Sequence, residues 1–461
     1  MSDFPLIWSD DLDAPLAWRN GQAISRRQYL ADVHAVASLL PPVGPMLNAT
    51  LDRYRFAVGL GAAMLRGQVN LLPPNHTFET VARLRGLFPD CYALSDDPRR
   101  YVDLPMVWQD PASADLTLVA TCAEPIRLDA QALAAQVLTS GSTGAPMPHA
   151  KRWGLLVRNT QAGAQRLAHQ MGRADLTGVT LVATVPPQHM YGFESTVLVS
   201  MLGGAAFETE RPFYPADIAR TLAQAQRPRM LVTTPLHLKM LLDAGIELPQ
   251  IDLTVCATAP LSPQLALRGE AALGAPLMEI YGCTEAGQVA SRRPTEGVEW
   301  HTYDGLRLSG DGEHSVISGG HVPEPTPLAD VLDVVNAQTF RLLGRSNDLI
   351  NIAGKRSSLT HLNYHLNSID GVQDGAFWLP PDSETQTATG VVRLAAFVVA
   401  PGVPHDLILA ALRQRVDTAF FPRPIVSVDA LPREATGKLP AGTFAAWAAP
   451  RVQRSATRTR S

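Results

Sequence analysis

Residues 138–153 read LTSGSTGAPMPHAKRW. An apolar run, AQVL at 135–138, opens into two glycines and four hydroxyl residues at 139–144. A strand followed by such a turn lets backbone N–H groups and hydroxyls converge on an anion, and glycine permits positive φ and close backbone approach. The competing interpretation is a plain Ser/Gly surface turn. It is not a Walker loop, because GxxxxGK[ST] occurs nowhere in the chain. The residue after Pro146 is Met147, which carries no charge to offer a phosphate. Lys151, four residues on, supplies one if a helix has begun there, since 147 and 151 then share a face.

Outward from this loop, strand and helix patterns alternate. RYRFAVGLGAAML, ETVARLRGLF and WGLLVRNTQAGAQRLAHQM have helical character. QVNLLPPN, VTLVATVPP, MLVTTP and IDLTVCATAP are buried strands ending at turns. The alternation predicts an α/β fold with a mostly parallel sheet covered on both faces. Short β-like runs occupy about 300–345, and a smaller α+β stretch follows from 346 to 449. The expected division is an N-terminal body over 1–345, a small mobile C-terminal domain over 346–449, and a disordered arginine-rich tail over 450–461.

The 461 residues exceed one ordinary core. A composition of 46% hydrophobic and 18% charged residues is that of a globular protein, and the net charge of −4 offers nothing to nucleic acid. No apolar stretch approaches the ~20 residues of a membrane span. The N-terminus lacks the basic start and apolar run of a signal peptide. Cys91, Cys122, Cys256 and Cys283 are scattered, which argues against a disulfide framework or structural zinc. A cytoplasmic location is expected.

TSGSTGAP resembles the phosphate loop of the adenylate-forming superfamily, which includes acyl- and aryl-CoA synthetases. Four further stretches match that family in order: PPQHMYG (186–192), MEIYGCTEAG (278–287), GRSNDLINIAGKR (344–356) and LPREATGK (431–438). The resemblance implies that a carboxylate attacks the α-phosphorus of ATP, giving acyl-AMP and pyrophosphate, and that a thiol then displaces AMP. It implies that Thr139, Ser140, Gly141, Ser142, Thr143 and Gly144 wrap phosphate, that Thr284 reaches a phosphate oxygen and that Glu285 holds Mg²⁺. Ala257, Thr258, Glu279, Ile280 and Tyr281 would surround the adenine. Asp330 and Arg345 would hold the ribose, with Asn347 as hinge pivot. Lys438 matches the family lysine that bridges the α-phosphate and the acid, so the cation missing at 147 comes from Lys438 or Lys151. The family hinge lysine is replaced by Asn351.

For the acid, the resemblance points to His189, Phe193, Cys256, Ile280, Gly282 and Cys283 as pocket residues. This apolar set suits an aromatic or short aliphatic acid. No Asp that would fix an amino group stands in VPPQHMYGFEST, where Glu194 is the one acid that could do so, and an amino-acid substrate is less expected. In its compactness and its Met-for-Lys loop the chain resembles the stand-alone ligases of aryl-polyene (xanthomonadin-type) pigment pathways, which load a hydroxybenzoate-type acid onto an acyl carrier protein. Phosphopantetheine of a carrier protein and CoA both remain as acceptors. The alternatives are a medium-chain fatty-acyl ligase and a catalytically idle nucleotide-binding homologue.

Overall fold

A computed structural model describes residues 3–9, 11–109, 119, 126–140, 146–310, 314–345, 349–352, 355–380, 393–433 and 439–458. Two large sheets build the N-terminal body, beside a strand pair, Asp3–Pro5 with Arg127–Asp129, and a three-stranded antiparallel sheet of Leu306–Gly310, Ser315–Gly319 and Val322–Leu328. The first has six strands in the order Pro146–Arg152, Leu133–Ser140, Asn70–Leu72, Met46–Asn48, Tyr92–Ser95 and Met106–Trp108. All its pairings are parallel except the first, where the strand after the phosphate loop folds back antiparallel on the strand before it.

The second sheet has eleven strands. Its parallel centre runs through Pro15–Arg19, Ala206–Glu208, Thr180–Ala183, Arg229–Thr233, Leu253–Cys256 and Leu277–Cys283. Beyond that last strand the sheet turns antiparallel through Gly287–Arg292, Glu299–Thr302, Thr339–Arg345 and Asp330–Asn336. The central strands are Val/Leu/Ile-rich and buried throughout, as strands covered on both faces must be. The α/β class expected from the sequence is the class observed, with more antiparallel flank than the alternation foretold.

Helix Arg53–Leu65 starts at the Asp52 cap, whose side chain accepts from Arg55 N–H, and it is buried almost all round. A Cβ on Gly59 would lie 2.7 Å from Leu94 Cδ2 and 2.9 Å from Asn48 Nδ2, so the helix needs glycine to lie this close to the first sheet. Its Arg53 reaches the second sheet. Nη1 donates to the carbonyls of Glu208 (2.9 Å) and Glu210 (3.1 Å), and Nη2 to those of Ala183 (2.9 Å) and Val185 (3.0 Å). One buried guanidinium thus fastens the helix to the carboxyl ends of two neighbouring strands, satisfying carbonyls that would otherwise be costly to bury.

The helix expected around Lys151 begins later, at Trp153, and Pro146–Arg152 is a strand. Positions 147 and 151 still share a face, because strand side chains repeat every two residues. The face changes environment along its length: Met147 is 58% exposed, whereas Lys151 is 8% exposed.

The C-terminal part holds the hairpin Leu349–Ile352/Lys355–Ser358 and a three-stranded sheet with its helices around a core of its own. It touches the body where Gln264 Nε2 donates to the Ser368 carbonyl (2.5 Å) and where the Arg292 guanidinium lies 5.9 Å from the Tyr364 ring. Of the tail expected at 450–461, residues 450–458 belong to helix Ala441–Arg458, which continues through Pro450. Arg451 stacks on Trp447 at 4.0 Å and donates to its carbonyl, and Val452 packs on the Phe397–Phe444 core.

Candidate active site

The parallel strands of the second sheet end on one side, where ligands bind in open α/β sheets. Thr180–Ala183 leads to His189, Leu253–Cys256 leads to Ala257–Thr258, and Leu277–Cys283 ends at the Thr284–Ala286 turn. His189 is half-buried and caps a helix that continues as a π-helical stretch over Phe193–Leu198. In the PPQHMYG motif, a Cβ on Gly192 would collide with the Pro186 carbonyl, so the turn needs glycine there. Tyr191 Oη donates to the Val255 carbonyl (2.9 Å), pinning this helix to the strand that precedes Thr258. π-helical turns recur at functional sites.

Thr258 has φ of 82°. A β-branched residue there is a strained outlier, and such strain gathers at ligand sites. Beside it, Tyr281 Oη donates to Asp330 Oδ2 (2.8 Å), while the Tyr281 ring packs edge-on against Trp300 and Phe340 at 5.8 and 5.5 Å. Asp330 opens its strand directly opposite Arg345. Tyr281, expected at the adenine, and Asp330 and Arg345, expected at the ribose, are therefore neighbours, although 49 residues separate Tyr281 from Asp330.

Glu279, expected among the adenosine contacts, has its side chain in the interior. It is 3% exposed. Its Oε1 accepts from Leu261 N–H (2.9 Å) and its Oε2 from Arg292 (2.7 Å). Both oxygens are bonded inside the protein, and through Leu261 the side chain fastens the Ala257–Leu261 turn. Burial pushes its pKa up, against the opposing pull of Arg292. Phe193 and Cys256, expected in the pocket, are wholly buried: Phe193 packs edge-on against Phe56 at 6.4 Å, and Cys256 belongs to the core behind the sheet. Ala257 and Ile280 are nearly buried, whereas Gly282 is exposed and Cys283 half-buried. A side chain at Gly282 would collide with the Gly287 carbonyl, which fixes the hairpin turn.

Thr284 is half-buried and Glu285 is exposed on that turn. Beneath it the Lys151 ammonium donates to the Thr284 carbonyl and to that of Glu285 (3.5 Å). Lys151 is thus directed to backbone rather than to open solvent. Burial lowers its pKa while Glu194, Cys283 and Glu285 act to raise it. Glu194 accepts from Asn159 Nδ2, and burial pushes its pKa up to about 7 despite Lys151. Burial also pushes the Cys283 thiol up to about 12.

The sequence reading missed Asn159, Arg292 and His76. The His76 Nδ1 is 2.7 Å from Arg100 Nη2; burial, then Arg100, then nearby His189 bring its pKa down to about 4. Its place in a Pro-Pro-Asn-His turn after a strand was the available signal. Gly141, Ser142, Thr143, Gly144, Asn347 and Lys438 lie outside the described residues, as do the side chains of Thr139, Ser140, Arg345 and Asn351.

Residues 88–311 match the family of AMP-binding enzymes. The chain is 31% identical over 282 residues to a 4-coumarate–CoA ligase of Rhodobacter capsulatus, covering 61% of this chain and 67% of the relative. It is 29% identical over 321 residues to a 4-coumarate–CoA ligase of Halorhodospira halophila, covering 65% and 73%. Its fold superposes on ATP-bound MatB of Rhodopseudomonas palustris with a TM-score of 0.74 at 18% identity, covering 95% and 97% of the two chains. The chain belongs to the AMP-binding enzyme family, whose reaction class is ATP-dependent acid–thiol ligation through acyl-AMP. Among the described residues no helix is long and apolar enough to cross a membrane.

Proposed function

We propose that this enzyme activates an aromatic, hydroxybenzoate-like carboxylic acid as its acyl-AMP and transfers the acyl group to the thiol of a carrier-protein phosphopantetheine or of CoA. The observation that carries this reading is the Tyr281–Asp330 hydrogen bond, set beside the strained Thr258 turn and the Thr284–Glu285 turn. Asp330 and Arg345 hold the ribose, and the Ala257–Ala259 turn, Ile280 and Tyr281 border the adenine. Thr284 and the hydroxyls of residues 139–143 donate to phosphate oxygens, where negative charge must be spread during in-line attack. Glu285 suits Mg²⁺ that arrives with the nucleotide: one exposed carboxylate plus phosphate oxygens is the hard-oxygen set this ion takes.

The acid lies between His189 and the Gly282–Cys283 strand end, which is the exposed and half-buried end of its strand. The relatives named for 4-coumarate support an aromatic acid. The high thiol pKa of Cys283 and the complete burial of Cys256 support an external acceptor thiol. Residues 346–449 form the moving domain, pivoting at Asn347 and delivering Lys438 to the α-phosphate and the acid carboxylate.

Pyrophosphate release with ATP and Mg²⁺ over hydroxybenzoates, cinnamates and medium-chain fatty acids tests the substrate class. The account predicts preference for a hydroxybenzoate. Preference for a fatty acid overturns the aromatic assignment, and silence across the panel with intact ATP binding favours an idle homologue. Product formation with carrier protein against CoA then separates the acceptors.

A further inference from the structure

Lys151 lies on the strand that follows the phosphate loop, far in sequence from the Thr284 turn whose carbonyls it binds. A lysine ammonium has three protons to donate and no lone pair, so a buried one is directed wherever acceptors are fixed. Here they are the two peptide carbonyls of the residues that carry the turn's hydroxyl and carboxylate. The far end of the same turn is seated too. A Cβ on Gly287 would lie 2.5 Å from Asn159 Nδ2 and 2.9 Å from Glu194 Oε1, so the Asn159–Glu194 pair packs directly under it. Lys151 is 8% exposed and Asn159 and Glu194 3% each, so all three stand in the interior beneath the turn.

We propose that Lys151 is a positioning residue for acid activation: its ammonium clamps the Thr284–Glu285 turn from below and so sets these two side chains against the metal–triphosphate. This rests on the functional reading above, which gives Thr284 to phosphate and Glu285 to Mg²⁺. Lys151 itself touches neither the nucleotide nor the acid. It acts through peptide groups, as residues behind metal ligands do when they fix ligand orientation, and losing such support costs about 10–100-fold in metal affinity or activity.

The test compares wild type with Lys151→Met and Lys151→Arg by equilibrium binding of the non-hydrolysable analogue AMPPNP with and without Mg²⁺, and of AMP, alongside pyrophosphate release. In Lys151→Met, Mg²⁺ should tighten AMPPNP about 10-fold or more less than it does in wild type. AMP affinity should stay within about twofold, because AMP brings neither Mg²⁺ to Glu285 nor the β- and γ-phosphates of the triphosphate. Pyrophosphate release should fall by about 10–100-fold, and Lys151→Arg, which keeps the charge and the donors, should recover part of both losses. If Lys151→Met fails to fold, Lys151→Gln, which keeps two donors, takes its place. A variant with an unchanged Mg²⁺ effect overturns the proposal even if it melts earlier. Wild type that binds Mg²⁺–AMPPNP yet releases no pyrophosphate with any acid overturns the functional reading instead, and the binding comparison still decides the role of Lys151.

Discussion

Replacing Arg292 with methionine separates the two interpretations of Glu279. The pair is buried, with side chains 8% and 4% exposed, and the guanidinium also lies 4.6 Å over the Trp300 ring. Methionine fills much of the aliphatic volume but leaves the Glu279 carboxylate in the interior without its cation. Breaking one side of a buried ion pair costs about 3–5 kcal/mol. For a body of this size, roughly 2 °C per kcal/mol gives a fall in melting temperature of about 6–10 °C. The deficit should shrink as pH falls, because a neutral carboxyl tolerates burial better, in line with the upward push already present. Glu279→Gln combined with Arg292→Met removes both charges and keeps an acceptor for Leu261 N–H, so the double variant should recover about 1–3 kcal/mol of the loss. Thermal unfolding of the four proteins at two pH values is the assay, with the KM for ATP measured beside it, since Glu279 anchors the turn before Leu261. A single variant within about 1 kcal/mol of wild type, or a double variant that loses the sum of the singles, refutes the reasoning.

Thr258→Gly removes strain of about 1–3 kcal/mol against a glycine entropy cost of about 0.5–1 kcal/mol, so a net gain of roughly 0–2.5 kcal/mol is expected in thermal unfolding; a loss would show that the Thr258 side chain holds the turn. Glu194→Gln should flatten the pH dependence of stability. The folded carboxyl binds its proton up to about pH 7, above the ordinary 4.5, so its contribution is present at low pH and is lost as pH rises through 7. Lys151, Asn159 and Tyr303 surround it, and the gain of the variant at pH 8 over pH 5 is at most about 3 kcal/mol; parallel pH profiles would contradict it. Lys438→Ala should cut acyl-AMP formation by about 10²–10³-fold while sparing thiolation of supplied acyl-AMP, and equal loss of both steps would count against its role.

The three middle strands of the second sheet, Thr180–Ala183, Arg229–Thr233 and Leu253–Cys256, were legible because each is a short apolar run closed by Thr and Pro, whereas Pro15–Arg19 and Ala206–Glu208 are too short and mixed to stand out. The long amphipathic helix between loop and pocket motif announced itself by its period. Spacing along a strand, by contrast, does not say what a side chain faces across the sheet. Glu279 and Tyr281 stand two apart and share a motif, yet one binds Arg292 and the other Asp330. The signal for the first was present: Glu279 and Arg292 are placed symmetrically about the Thr284–Gly287 turn, and they are register partners in the hairpin. Lys151 could not be placed from sequence, because its carbonyl partners lie 133 and 134 residues away and have no side-chain signature. Phe193 was placed in the pocket by the family resemblance alone, which does not say which way a side chain faces; it opens the π-helical stretch and is wholly buried.

The most direct test of the central claim is trapping of the activated acid with hydroxylamine, with AMP and pyrophosphate counted in the same reaction. The account predicts that 4-hydroxybenzoate, ATP and Mg²⁺ give hydroxamate, AMP and pyrophosphate in equal amounts, and that no AMP forms without the acid. ADP and phosphate in place of AMP and pyrophosphate, or AMP formed independently of any acid, would contradict it.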